Sequence, residues 1–400
     1  MNYITLILCV AIVFGMSDFV TERYPNMQRQ VYWLAFGAMY VLCTIKYYYG
    51  PDMVNYYDYY VNDIDSLQNV FAHPTDYPYE AGFNIFCALC KAAGMSLYGV
   101  TVVVSTIYFV AIFLLFKQIP RKRSFALMLL MTMDYSLILI TYRQCLSVAF
   151  FIIMLLCLQD KRYVLTMVFA VLSGAMHKSG IVVVSLVLLV YMCRSEAFPK
   201  WAYQLLMCVL AVMLLFPVAR LLGGTFAFLP AGGSIAHHLS LGKQIQTVWL
   251  IYALTIVCAE YYLHYQHERM DSIAVAVFVG LVLVVTFYQY YYLLNRLRSH
   301  FLPLAIVWGF RLVQEAEDGH RHVPYGVLLK QTTCLVLLLF CINSTYRFDQ
   351  GTKLLKSKVY DTCTLLDLRN HDSDELMWRQ IRRAQHYWWY EFMKNENNKL

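Results

Sequence analysis

The chain has 400 residues, 60% of them hydrophobic and only 14% charged. Its formal charges, 32 Lys and Arg against 25 Asp and Glu, are few beside the roughly 100 that a soluble chain of this length carries. Tyr163–Met176, Ile181–Cys193, Ala202–Ala219, Ile273–Leu294 and Thr101–Phe116 contain no Asp, Glu, Lys or Arg. Apolar runs of this kind, separated by short charged stretches, suit a hydrocarbon core about 30 Å thick. A polytopic membrane protein is expected, and a soluble enzyme, a nucleic-acid binder and a disulfide-built secreted domain are excluded. The net charge of +7 varies in sign from loop to loop, so it is no nucleic-acid signal.

Met1 to Val20 lacks a basic n-region and a small-residue cleavage site, which predicts a retained first helix rather than a signal peptide. Apolar runs near 3–19, 31–45, 99–117, 124–141, 145–159, 163–177, 180–193, 202–219, 245–263, 273–294, 300–313 and 326–343 follow in order. They predict an all-α transmembrane bundle of about 12 spans, within a range of roughly 10 to 14. The segment Gly82–Met95 is short and carries Lys91, so it fits a re-entrant or interfacial helix as well as a crossing. The transmembrane domain is expected to cover 1–343, with external loops at 46–80 and 220–244. Residues 344–400 read as a polar helical extension, with Trp378, Trp388 and Trp389 suited to the membrane interface.

Orientation comes from Lys and Arg in short loops. Lys117-Gln-Ile-Pro-Arg121-Lys122-Arg123 places its loop in the cytoplasm, and Asp160-Lys161-Arg162 and Arg194–Lys200 fall on the same side. The 46–80 loop, the turns at 142–144 and 177–179, the 220–244 loop and Asn295–His300 then face outward. The tail, with ten basic and eight acidic residues after 343, casts no vote. Most of the cysteines lie within or at the ends of apolar runs and read as small hydrophobes. Cys87-x-x-Cys90 has no second pair or His beside it, so no metal is expected.

Chemistry is expected at the outer ends of the spans, where charges beside hydrocarbon are costly. Arg143 and His177 each sit between two apolar runs, and Arg296 and Arg298 follow an uncharged run. Arg220, His237, His238 and Lys243 share a loop without acids, whereas the 46–80 loop holds six acids and only Lys46. An arginine with no carboxylate nearby must find its anion elsewhere, and its planar fork fits phosphate oxygens. Anchoring on a lipid head group is the plainer alternative for each arginine. Tyrosine is abundant, with 33 residues, nine of them between Tyr47 and Tyr79. These suit either an interfacial belt or a sugar-gripping surface of rings and carboxylates.

Set in order, these residues resemble a known family. Gly50-Pro51-Asp52 with Tyr56, Tyr57 and Tyr60 looks like the Gly-x-Asp…Tyr…Tyr opening of the EpsG family, membrane proteins of the Wzy-like polysaccharide polymerase group. Glu80-Ala81-Gly82-Phe83 resembles its Glu-Pro-Gly-Phe/Tyr element, with Ala for Pro. Arg143-Gln144 with Ser147 and Ala149 resembles its Arg-Gln-x-x-Ala-x-Ala helix start, with Ser for the first Ala. His177-Lys178-Ser179 matches its His-x-Ser.

The resemblance implies a GT-C-like membrane glycosyltransferase architecture. It also implies a polymerase of undecaprenyl-diphosphate-linked repeat units at the outer face of a bacterial inner membrane. Surface polysaccharide (O-antigen, capsule or exopolysaccharide) would be its product. A chain-length regulator and a flippase are the expected partners beside the lipid-linked substrate and the bilayer, with no cofactor. On this reading Arg143, Arg296 and Arg298 clamp the diphosphate, and Arg220 and Lys243 guide it. His177, Asp52 or Glu80 serves as base. Tyr56, Tyr57, Tyr59, Tyr60 and Gln144 hold sugars. Two rivals remain: a ligase that moves the finished glycan to another acceptor, and a transporter of the same lipid-linked glycans. Charges at helix ends and the lack of a visible repeat weigh against the transporter.

Overall fold

Helices form where the apolar runs are longest, because backbone in hydrocarbon must satisfy its own hydrogen bonds. A computed structural model describes residues 3–47, 50, 52–192, 271–287, 291–318, 364–369, 372 and 375–382. Every regular element among the described residues is helical, apart from an isolated antiparallel bridge between Lys46 and Thr364. The order begins α1 (Tyr3–Val20), α2 (Pro25–Thr44) and α3 (Asp52–Asp58), which runs into a π-helical turn (Tyr59–Asp63). It continues through α4 (Leu67–Ala72), α5 (Ala81–Ala92), α6 (Leu97–Phe116), α7 (Arg123–Ile140) and α8 (Tyr142–Gln159). Then come α9 (Tyr163–Met176), α10 (Lys178–Met192), α11 (Ser272–Phe287) and α12 (Tyr291–Asp318). Among the described residues α1, α6 and α8 are long and apolar enough to cross a membrane. The expected spans 202–219, 245–263 and 326–343, and the 220–244 loop, lie outside the described residues.

The chain divides into two compact units. In the first (1–149, 175–177 and 309–400), α1 packs on α2 and α7, and α2 packs on α6 and α7. Gly15 lets α1 lie close to α7: a Cβ there would come within 2.5 Å of Met128 Cβ. At one end of this packing Asp18 accepts the Phe125 N–H at 2.9 Å, satisfying an otherwise orphaned donor in the first turn of α7. Lys122 pairs with Glu22 at 3.1 Å beside it. At the other end of α7, Lys46 Nζ donates to the Ile138 carbonyl. Gly50, at φ +88°, lies against Ile140. Lys46, Gly50 and the α7–α8 break at Thr141 thus share one end of the unit.

Two expectations change. Gly82–Met95 proves to contain a helix of 12 residues, α5. That length extends about 18 Å, short of a crossing. Its Lys91 donates to the carbonyls of Tyr60, Val61 and Ile64 at 3.0, 3.3 and 2.7 Å, closing the open end of the π turn. Asn295–His300, read as an external loop, lies inside the 28-residue α12. Asn and Arg do not break a helix as Gly or Pro does, so charge alone was a poor marker of a span end.

In the second unit (150–174 and 178–308), α10 packs on α11, and Ser272 Oγ donates to the Leu155 carbonyl at 3.1 Å. Gly280 lets α11 approach the Phe301 ring.

Candidate functional site

The site forms at the Lys46 end of the first unit, from α3, its π turn, the loop leading to α5, and the start of α8. Met53, Tyr56, Tyr59 and Tyr60 recur at helical spacing, so they share one face, and all four are buried. Tyr56 stacks on Tyr142 of α8, with ring centroids 5.2 Å apart and planes at 10°. Tyr59 meets Tyr79 edge-on at 4.6 Å. Its hydroxyl donates to Asn84 Oδ1 at 2.5 Å. Tyr60 donates to the Met95 carbonyl at 2.7 Å. Asn84, fully buried, also donates to the carbonyls of Pro74 and Tyr79, both at 2.8 Å. Its amide therefore sets the path of the loop that delivers Glu80.

Arg143 sits in the first turn of α8, one residue after the Thr141–Tyr142 step. Its Nη1 donates to Glu80 Oε2 at 2.6 Å, a charge-assisted contact between half-sheltered groups. Its guanidinium carbon lies 4.4 Å from the Tyr79 ring centroid. Its Nε is buried without a hydrogen-bond partner in the structure. Asp52, one turn before Tyr56, acts electrostatically on both Tyr56 and Tyr79. Burial holds the Tyr79 phenol up at about 12, with the Arg143 charge opposing it. The Tyr56 phenol is likewise raised by burial.

Gly82 joins a further motif to this one. A Cβ at Gly82 would lie 2.6 Å from Ala175 Cβ and 2.8 Å from the Ala175 carbonyl carbon and oxygen. Only glycine permits that approach of α5 to the end of α9. His177, two residues later, is buried in the single-residue break between α9 and α10. Gly50, Asp52, Glu80, Gly82, Arg143, Gln144 and His177, drawn from the four motifs, belong to the first unit.

Two sequence expectations need correction. Arg143 was expected to lack a carboxylate, yet Glu80 supplies one from the acidic loop. Sequence distance hid the pairing, since 63 residues separate the two. Tyr56, Tyr59 and Tyr60 were expected to hold sugars, but they are buried, and only Tyr57 of that set is half-exposed. Their i, i+3, i+4 spacing was the signal of a buried face. Arg296 and Arg298, expected to clamp the diphosphate with Arg143, lie in α12, where Arg296 is exposed and Arg298 half-buried.

Gln144 is buried beside Arg143. Arg220, Lys243, His237 and His238 lie outside the described residues. The sequence contains two Asp-x-Asp triplets, Asp63-Ile64-Asp65 and Asp372-Ser373-Asp374, against the expectation of none. Asp65 accepts the Ser66 N–H and the Asn69 side-chain amide at 2.8 and 2.6 Å, holding the first turn of α4. No group of three or more metal-ligating His, Cys, Asp or Glu occurs among the described residues. Two buried ionisable groups were passed over too. One is Lys46, 5.1 Å from the Tyr142 ring centroid. The other is Asp134, where α7 departs from helical geometry.

The model of the EpsG family matches the chain over residues 30–354, which includes all four motifs. The protein belongs to the EpsG family. No curated protein and no solved structure matches it. As an EpsG-family protein with long apolar helices, it is a membrane protein of polysaccharide biosynthesis. Arg143 and Glu80 are paired in the first unit, which also contains Asp52 and His177.

Proposed function

We propose that this EpsG-family protein polymerises undecaprenyl-diphosphate-linked oligosaccharide repeat units into surface polysaccharide at the outer face of the bacterial inner membrane. The observation that carries the reading is Arg143. A guanidinium 4.4 Å from the Tyr79 ring centroid, with a buried unsatisfied Nε, is a preorganised donor for an anion. In the reaction a hydroxyl of the acceptor unit attacks the anomeric carbon of the lipid-linked chain. The new glycosidic C–O bond forms as the bond to the diphosphate oxygen breaks, and undecaprenyl diphosphate leaves. Arg143 stabilises the charge that develops on that diphosphate. One of Asp52, Glu80 and His177 takes the hydroxyl proton.

Deletion of the gene tests the reading through the chain-length profile of surface polysaccharide. Single repeat units on their final carrier are the expected result. Full-length chains held on undecaprenyl diphosphate would instead identify a ligase, and the absence of any glycan on the outer face would identify a transporter. Arg143→Ala should abolish chain growth, and Arg143→Lys should fail nearly as badly, because lysine offers a point charge in place of a planar fork. Rescue by lysine would reduce Arg143 to a head-group anchor.

A further inference from the structure

Arg123 opens α7, at the end opposite Ile138 and the break at Thr141. Its Nε donates to the Ile119 carbonyl at 2.6 Å and its Nη2 to the Lys117 carbonyl at 3.2 Å. These bonds fix the guanidinium against the α6–α7 turn and leave Nη1 without an acceptor among the described residues. The guanidinium carbon lies 5.9 Å from the centroid of the Tyr32 ring. Tyr32 is only 3% exposed, yet its hydroxyl has no hydrogen-bond partner. A buried hydroxyl left without an acceptor is costly, and a native fold seldom keeps one idle. Tyr32 also begins an aromatic wall. Its ring meets Trp33 at 6.1 Å and Phe36 at 5.8 Å, and both of those rings meet Phe113 of α6, at 5.2 and 5.8 Å. Lys117 Nζ lies 4.8 Å from the Phe113 centroid, at the far end of that wall. Neither Lys117 nor Arg123 makes an ion pair among the described residues. Glu22 and Asp18, the acids at the end of α1, are occupied by Lys122 and by the Phe125 N–H.

We propose that Tyr32, Arg123 and Lys117 form a site for the phosphate of an anionic phospholipid. It is distinct from the site around Arg143 and independent of the polymerase reading. The 18 residues of α7 extend roughly 27 Å, so one phosphate does not reach both ends. A phosphodiester supplies what each group lacks. One non-bridging oxygen accepts from the Tyr32 hydroxyl and the other from Arg123 Nη1, while the Lys117 ammonium adds a point charge. The surroundings favour a lipid over free phosphate. The apolar run of α2 begins at Val31, which sets Tyr32 at the level where head groups meet hydrocarbon. Trp33 and Leu34, the next two residues, are exposed, and they offer an acyl chain an apolar face beside the phosphate. A zwitterionic lipid carries the same phosphate but brings an ammonium that Arg123 and Lys117 repel, so an anionic head group is preferred.

The test measures binding of dioleoyl phosphatidylglycerol to the full-length protein in maltoside micelles by native mass spectrometry, with dioleoyl phosphatidylcholine as the zwitterionic control. The wild-type protein should bind phosphatidylglycerol about tenfold more tightly. Tyr32→Phe removes a hydroxyl that the fold leaves unpartnered. Its lipid-free unfolding midpoint should therefore be no lower than that of the wild type, while its affinity for phosphatidylglycerol falls several-fold. Lys117→Met keeps an apolar stem over Phe113 and removes the charge, with a similar loss of affinity. Arg121→Gln, at an exposed basic position in the same turn, is the matched charge control and should change little. Equal binding of the two lipids by the wild type, or undiminished affinity in Tyr32→Phe, would overturn the site. A loss in Arg121→Gln equal to that in Lys117→Met would reduce it to diffuse surface charge and overturn it as well. Release of the lipid by millimolar inorganic phosphate would make it a free-phosphate site, and release by polyglutamate a site for an acidic protein. Either release would overturn the lipid assignment.

Discussion

At the residue scale the site consists of charges whose environments differ. Lys46, at the edge of the cap, is buried, and burial pushes its ammonium down to about 8 from 10.5. Between those values the unfolded chain binds a proton that the folded chain does not, so stability rises as pH climbs through that window. Below about 8 the cost of burying the charge is fully present. The unfolding midpoint of the detergent-solubilised wild-type protein should therefore rise relative to that of Lys46→Met between pH 8 and 10.5. Tyr59 belongs to the cap in a different way. Tyr59→Phe deprives the buried Asn84 Oδ1 of its donor and should cost about 1–3 kcal/mol of stability. Polysaccharide chain length should be unchanged, because the ring itself is retained in the core. A shortened polymer at normal protein levels would restore Tyr59 as a sugar ligand.

At the element scale the decisive contact is α5 against the end of α9. A 12-residue helix is too short to span, and α5 works as a strut that ties Glu80 to the His177 break through Gly82. Gly82→Ala would force a Cβ to within 2.6 Å of Ala175 Cβ. The expected cost is about 1–3 kcal/mol, with loss of polymer, as overpacking shifts backbone on one side of the contact. Gly37→Ala, where a Cβ meets nothing within 4 Å, is the matched control and should keep wild-type polymer length. The helix breaks at Thr141 and His177 were legible as short polar turns between apolar runs. The closeness of their contents to α5 was not, because nothing local to either turn records a partner 63 residues away along the chain, as for Arg143 and Glu80, or farther, as for Ala175 and Gly82.

At the scale of the whole molecule, Lys46 and Gly50 lie at the end of α7 that leads into the 142–144 turn, within the first unit. The tail cast no vote by charge, yet the structure docks it. Thr364 bridges to Lys46, and Leu376, fully buried, packs with Tyr47 and Tyr98. That puts Thr364 and Leu376 at the end of the first unit that holds Lys46 and Tyr47. In a background lacking the native cysteines, exposed positions Asp76→Cys and Asp372→Cys should react with a membrane-impermeant maleimide from the same side of the membrane. Labelling from opposite sides would contradict the docking of the tail.

The sequence by itself determined the class of molecule. Few charges and long apolar runs leave helices as the means of spanning hydrocarbon, and four ordered motifs pointed to the EpsG family. It also determined which residue types were available for diphosphate chemistry. Only the tertiary structure decided their partners: Glu80 on Arg143, Asn84 beneath the loop, the tyrosines inward rather than outward. Hydropathy is a property of each residue and can be read along the chain. An ion pair between residues 80 and 143 is a property of two distant backbones brought together, and its energy depends on burial that no local window contains.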